Sequence, residues 1–230
     1  MTMDMKMLEH EFEHGLQIAE MYSEKIPFLY DEIKRNVFRE EYGKGGELLH
    51  RGYYCPSPIF DIVVGNVSRG RLLKRPTSNS NPTYRYGFDD NGNMLTVIHP
   101  NGTEIIIRQG EMEIGIDFDA EHEIQAVCWC IFSNGTIQSY VFSLYHSFEK
   151  KIAEYRRENY IYSKNGLTSV DWYECVYDGK RPIMIHDKYH FIHDGEGFLS
   201  QYTVDEYDWE VSKDSVWKDH VFEVRTKRRV

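Results

Sequence analysis

Six Asn-Gly and Asp-Gly dipeptides punctuate the chain after residue 80: Asn91-Gly92, Asn101-Gly102, Asn134-Gly135, Asn165-Gly166, Asp178-Gly179 and Asp194-Gly195. Each supplies two residues that tolerate positive φ, the requirement of a type I′ turn, whose twist matches the strands it joins. Set between alternating apolar residues, the pattern predicts a long antiparallel β meander.

The turns fall within copies of one unit. Tyr84-x-Tyr86-x-Phe88-Asp89 leads to Asn91-Gly92 and Met94-Leu95; Ile116-x-Phe118-Asp119 leads to Glu121-His122 and Ile124. Tyr160-x-Tyr162 leads to Asn165-Gly166, and Tyr189-x-Phe191 leads to Asp194-Gly195 and Phe198-Leu199. Phe88, Phe118, Tyr162 and Phe191 stand 30, 44 and 29 residues apart, a repeat with one insertion. Within that insertion, residues 147–158 read as a helix, with Ser147 as N-cap, Phe148, Ile152 and Tyr155 as an apolar stripe, and Arg156 and Arg157 at the C-terminal end.

Ahead of the meander, Leu8, Phe12, Ile18, Ala19, Tyr22, Ile33, Val37 and Phe38 recur at helical spacing over residues 4–42, divided or kinked at Pro27. Strands are expected over Glu47–Tyr54 and Ile59–Val64, and the loop 76–82 is the expected section boundary. The predicted fold is therefore α+β: N-terminal helices and short strands in residues 1–75, then an extended meander of hairpin repeats in residues 83–230 with one inserted helix near 147–158. The two sections are expected to form one compact unit.

Of the expected strands, residues 111–119 are the most informative. Met112, Ile114, Ile116 and Phe118 share one face, Glu111, Glu113, Asp117 and Asp119 the other, so this strand should rest on a core and show an acidic face to solvent. Residues 124–132 are apolar on both faces and should be covered on both sides.

The formal charge of −10 argues against nucleic acid or an anionic membrane as partner and favours a basic protein. The four cysteines (Cys55, Cys128, Cys130, Cys175) form no C-x-x-C pair and read as reduced core thiols. The acidic N-terminal residues do not resemble a signal peptide, and no stretch approaches the roughly 20 apolar residues that span a bilayer. The expected location is cytoplasmic.

Four groupings invite a chemical reading. His10-Glu11-Phe12-Glu13-His14 is an H-E-x-x-H on a predicted helix, which could hold zinc between His10 and His14 with Glu11 as base. No third histidine follows at a useful interval, so a solvated amphipathic helix explains the run better. In the second, His186, His190 and His193 lie on a strand and its turn, with His186 and His190 too far apart along the strand to share one metal. The paired carboxylates of 111–119 have separations that overlap those of glycosidases, but nothing marks one of each pair as buried. Arg69, Arg71, Lys74 and Arg75 form a basic patch that reads as a loop balancing nearby acids. No Gly-rich phosphate loop, nucleophile elbow or dinucleotide fingerprint is present, and no cofactor is expected.

Tyr84-x-Tyr86-x-Phe88-Asp89-Asp90-Asn91-Gly92-Asn93-Met94-Leu95 and the run from Tyr189 to Leu199 resemble the tyrosine–aspartate hairpins of YD/RHS repeat proteins. That resemblance spans residues 84 to about 211 and implies a β shell of stacked hairpins. In overall character, a small acidic, aromatic-rich α+β chain with reduced cysteines, the sequence is also similar to bacterial polymorphic-toxin immunity proteins; no motif carries this likeness. Together these point to a non-catalytic protein-binding module, an immunity or antitoxin protein that neutralises a basic partner such as a toxin. Its expected docking residues are Glu111, Glu113, Asp117 and Asp119, with Asp89 and Asp90. The alternatives are a repeat-type structural or carbohydrate-binding module, and a metal-dependent hydrolase using His10, Glu11 and His14.

Overall fold

The N-terminal apolar stripe folds as two helices, α1 (Met5–Ser23) and α2 (Ile26–Arg35), with Pro27 in the first turn of the second, where its missing N–H has no helical partner to lose. Helix does not continue to residue 42. After Asn36 the chain turns extended, the Phe38 N–H donates to the Phe88 carbonyl, and β1 (Arg39–Lys44) joins the sheet. The computed structural model describes residues 5–65, 67–74, 80–146, 149–177, 182–208 and 221–228.

The remaining strands are β2 (Arg71–Leu72), β3 (Tyr84–Phe88), β4 (Met94–His99), β5 (Gly102–Gln109), β6 (Met112–Phe118), β7 (Ile124–Ser133), β8 (Thr136–His146), β9 (Lys151–Ser163), β10 (Gly166–Tyr177), β11 (Pro182–His193), β12 (Leu199–Asp208) and β13 (Phe222–Arg228). They form one 13-stranded antiparallel sheet that runs in chain order from β13 to β3 and ends β3-β1-β2. The meander and the N-terminal helices are as the sequence predicts.

The inserted helix is not. Residues 151–158 begin β9, and Ser147 and Phe148 lie outside the described residues. On β9, Tyr155 faces α1 while Arg156 and Glu158 point to the opposite face and are buried. Charged residues at those inward positions hide the period-2 signal of the strand and leave Ile152 and Tyr155 at helical spacing.

Turn chemistry is more varied than type I′. Asn134 and Gly135 both take positive φ (51° and 75°) as expected. Three other hairpins share a different loop, in which an aspartate carboxylate accepts the backbone N–H four residues on: Asp89 from Asn93 (2.7 Å), Asp119 from Glu123 (2.9 Å) and Asp194 from Phe198 (2.9 Å). The positive-φ residue is then Gly92, His122 or Gly197, one before that N–H. Asp178-Gly179 lies outside the described residues.

Both faces of the sheet carry a core. On one, Ile18, Ala19 and Tyr22 of α1 and Ile26 of α2 pack against Ile105, Ile114, Ile116, Phe118, Val127, Trp129, Val141 and Tyr155. The other is covered by residues 45–70, where the expected strands are instead a 3₁₀ turn (Gly52–Tyr54) and a one-turn helix α3 (Phe60–Val63). This covering segment leaves β1 and returns beside it as β2, pairing Lys44 with Arg71. At its neck Gly45 and Gly70 take positive φ (71° each), and any Cβ on Gly70 would collide with the Gly45 carbonyl. Cys55, Ile59 and Phe60 bury against Cys128, Cys130, Tyr140, Phe142 and Trp172, while Tyr54 packs on Tyr86 and Phe88. All four cysteines are buried free thiols. No helix among the described residues is long and apolar enough to cross a membrane.

Candidate protein-docking surface

The acids that the sequence placed on one outward face have four different fates. Glu111 is exposed, but it sits in the tight Gly110-Glu111 turn between β5 and β6 rather than in a strand. Glu113 and Asp117 are buried (7% and 4% exposed) because the face they share lies under residues 45–70. Asp119 and Asp89 are spent on their own hairpin loops, and Asp90 is an exposed loop residue that accepts from the Asn91 amide. The expected continuous acidic face over Glu111, Glu113, Asp117 and Asp119 therefore does not exist. The alternation was read correctly; what covers the second face was not visible in it.

Under the covering segment, each buried carboxylate meets a cation or a histidine. Arg51 reaches down between Glu104 on β5 and Glu113 on β6, at 2.8 and 2.6 Å, and Arg108 takes the second oxygen of Glu113 at 2.6 Å. The guanidinium lies over Gly115, where a methyl group would strike both it and the Glu104 carboxylate. Burial pushes the Glu104 carboxyl up against the pull of Arg51; at Glu113 the two arginines outweigh burial and hold it below the usual range. His99 Nδ1 accepts the Asn101 N–H, so Nε2 carries the proton it gives to Asp117 (2.6 Å). Farther along, Arg156 stands 3.3 Å from Glu158 inside a cage of Phe60, Tyr140, Phe142 and Trp172 rings. Ser57 and Tyr160 donate to the other oxygen of Glu158. Arg69 closes the segment by binding Asp61 and the carbonyls of Cys55 and Ser57.

Past the end of this segment the same face continues without such matching. The registers of β9, β10 and β11 bring Glu154, Glu174 and Asp187 to this side, with Glu174 opposite both Arg156 and Ile185, and Asp187 opposite Trp172 and Glu206. None of Glu154, Glu174 or Asp187 lies within ion-pair distance of a lysine or arginine among the described residues; Glu174 accepts from the Trp172 indole N–H and Asp187 from the Tyr189 hydroxyl. Burial, then the Glu206 and Glu174 charges, push the Asp187 carboxyl up to about 6. Beside these acids Ile183 and Ile185 are 44% and 39% exposed. Among the described residues, these acids and isoleucines form one partly exposed patch in which apolar and negative groups alternate.

This patch was missed in the sequence, although a period-2 reading of 172–176 and 183–191 would have put Trp172, Glu174, Ile185, Asp187 and Tyr189 on one face. The other singled-out residues are committed elsewhere. Glu11 is ion-paired with Arg157 and accepts from Tyr155, His14 packs edge-on against Trp129 at 5.1 Å, and His10 is exposed. His186 stacks on Tyr173 and His190 pairs with Asp205 at 2.9 Å. Among the described residues no three His, Cys, Asp or Glu side chains converge to hold a metal. Of the basic patch, Arg69 is the internal clamp just described, Arg71 and Lys74 are exposed, and Arg75 lies outside the described residues. Trp129 and Trp172 are buried, so neither ring offers a face for stacking sugars.

No protein-family model and no curated protein matches this chain.

Proposed function

We propose that the chain is a non-catalytic protein-binding module of the immunity or antitoxin kind, and that it docks a basic partner on the partly exposed patch of Glu154, Glu174, Asp187, Ile183 and Ile185. The observation that carries this reading is the contrast along one sheet face. Where residues 45–70 cover the face, they or the sheet supply Arg51, Arg108, Arg156 and His99 to its carboxylates. Past the cover, Glu154, Glu174 and Asp187 have no lysine or arginine of the described residues within ion-pair distance, and Arg156, across the ladder from Glu174, is turned to Glu158. A partner presenting Lys or Arg beside an apolar group would complete the pattern: isoleucines supply burial once water is excluded, and the acids supply steering and register. The net charge of −10 strengthens long-range attraction to such a partner.

The test is capture of interacting protein from the source cells by native chain, by the triple variant E154Q/E174Q/D187N, and by a control neutralised at the exposed E20Q/E121Q/E123Q. The expected result is a stoichiometric basic protein, toxic when expressed alone, held by the native chain and the control in a salt-sensitive manner and lost by the triple variant. Equal retention by the triple variant, or a captured partner that is not basic, overturns the assignment.

A further inference from the structure

Asp187 occupies an unusual position for a surface acid. Its side chain lies at the margin of the apolar core, directly across from the Trp172 ring on β10 and across from Glu206 on β12. Like charges in facing positions of adjacent strands repel. Glu174 is one step along β10 on the same side, the Tyr189 hydroxyl donates to Asp187 from its own strand at 3.2 Å, and Arg156 on β9 is engaged with Glu158 beyond Trp172. Among the described residues, the charged neighbours that face the carboxylate from β10 and β12 are the acids Glu174 and Glu206; Lys188 and His186 project from the opposite face of β11.

We propose that docking of a basic partner on this patch is coupled to loss of a proton from Asp187, so that the surface binds at neutral pH and releases in mild acid. This inference rests on the docking reading above and adds its regulation. Without a partner, repulsion and partial burial favour the neutral acid, consistent with a carboxyl pushed up to about 6. A cation seated between Glu174 and Asp187 favours the carboxylate and lowers that value. Binding then expels a proton near pH 6, and by linkage protons compete with the partner. Because the carboxyl is raised in the free chain and lowered in the complex, affinity is full above about pH 7 and is lost as pH falls through about 6; one group of this kind weakens binding about tenfold between pH 7 and 5.

A hexa-arginine peptide serves as the probe, titrated calorimetrically at pH 7, 6 and 5 in buffers of differing ionisation enthalpy, with native chain, Asp187→Asn and the exposed-acid control E20Q/E121Q/E123Q. The expected outcome is release of about half a proton per peptide at pH 6 and a tenfold weaker complex at pH 5 in the native chain. In D187N the proton release vanishes and the affinity is flat, at or below that of the native chain at pH 5. Binding without proton release in the native chain, or with release unchanged in D187N, overturns the coupling and leaves the docking surface standing. Absence of binding at pH 7, or equal loss in the exposed-acid control, overturns both.

Discussion

Arg51 shows how much one residue can decide. It sits on the covering segment at positive φ (56°), 3% exposed, with its guanidinium shared between two strands. A buried ion pair adds little net stability when intact, but removing one partner strands the other charge away from water. Replacing Arg51 with Leu leaves Glu104 facing only Cys128 and is expected to cost about 3–5 kcal/mol in urea unfolding. Arg85→Leu, which breaks a half-exposed 3.7 Å contact to Glu40, is expected to cost less than about 1 kcal/mol. Nothing in the sequence around Arg51 separates it from any other loop arginine. Its partners lie 53 and 62 residues away, and only the fold brings them together.

At the level of the element, the hairpins divide by turn chemistry. Asn134-Gly135 was legible because both residues take the φ that the dipeptide suits. Asp89 and Asp119 were legible as repeats of one unit but misread as partner-binding acids, since a carboxylate that caps its own loop looks the same in sequence as one that faces a partner. Asp119 accepts both the Glu121 and Glu123 N–H groups. Asp119→Ala removes the oxygen that accepts both and is expected to lower stability by about 1–2 kcal/mol, whereas Asp119→Asn, which keeps one acceptor oxygen, loses less than half of that; chemical denaturation of the two variants checks the order. Strand β9 failed in the opposite way. Its inward Arg156 and Glu158 look like solvent positions until the aromatic cage and Ser57, 101 residues from Glu158, are in place.

The whole molecule is a sheet buried on both faces over most of its width, and burial of titratable groups ties its stability to pH. His50 lies between the Phe60 and Phe142 rings and beside Arg156; burial, then that guanidinium, hold its pKa well below the ordinary value. The unfolded chain takes up a proton at this histidine below about pH 6.5 before the folded chain does, so this group contributes nothing at pH 8 and costs stability as pH falls, by at most about 1.4 kcal/mol per unit. Urea unfolding at pH 7, 6 and 5 should show the native chain losing stability faster than His50→Phe by that slope; parallel curves would place His50 in solvent. What the sequence determined by itself were the local matters: strand period, turn positions, the helical stripe ahead of Pro27, and the sign of the charge. These follow from backbone preferences and side-chain spacing within about ten residues. The tertiary structure alone decided which face of the sheet each acid meets and whether a cation meets it there, because that depends on where a 26-residue loop of mixed composition, residues 45–70, comes to rest. Glu113 became part of the interior and Glu174 stayed partly exposed through the reach of that loop, a quantity no local pattern encodes.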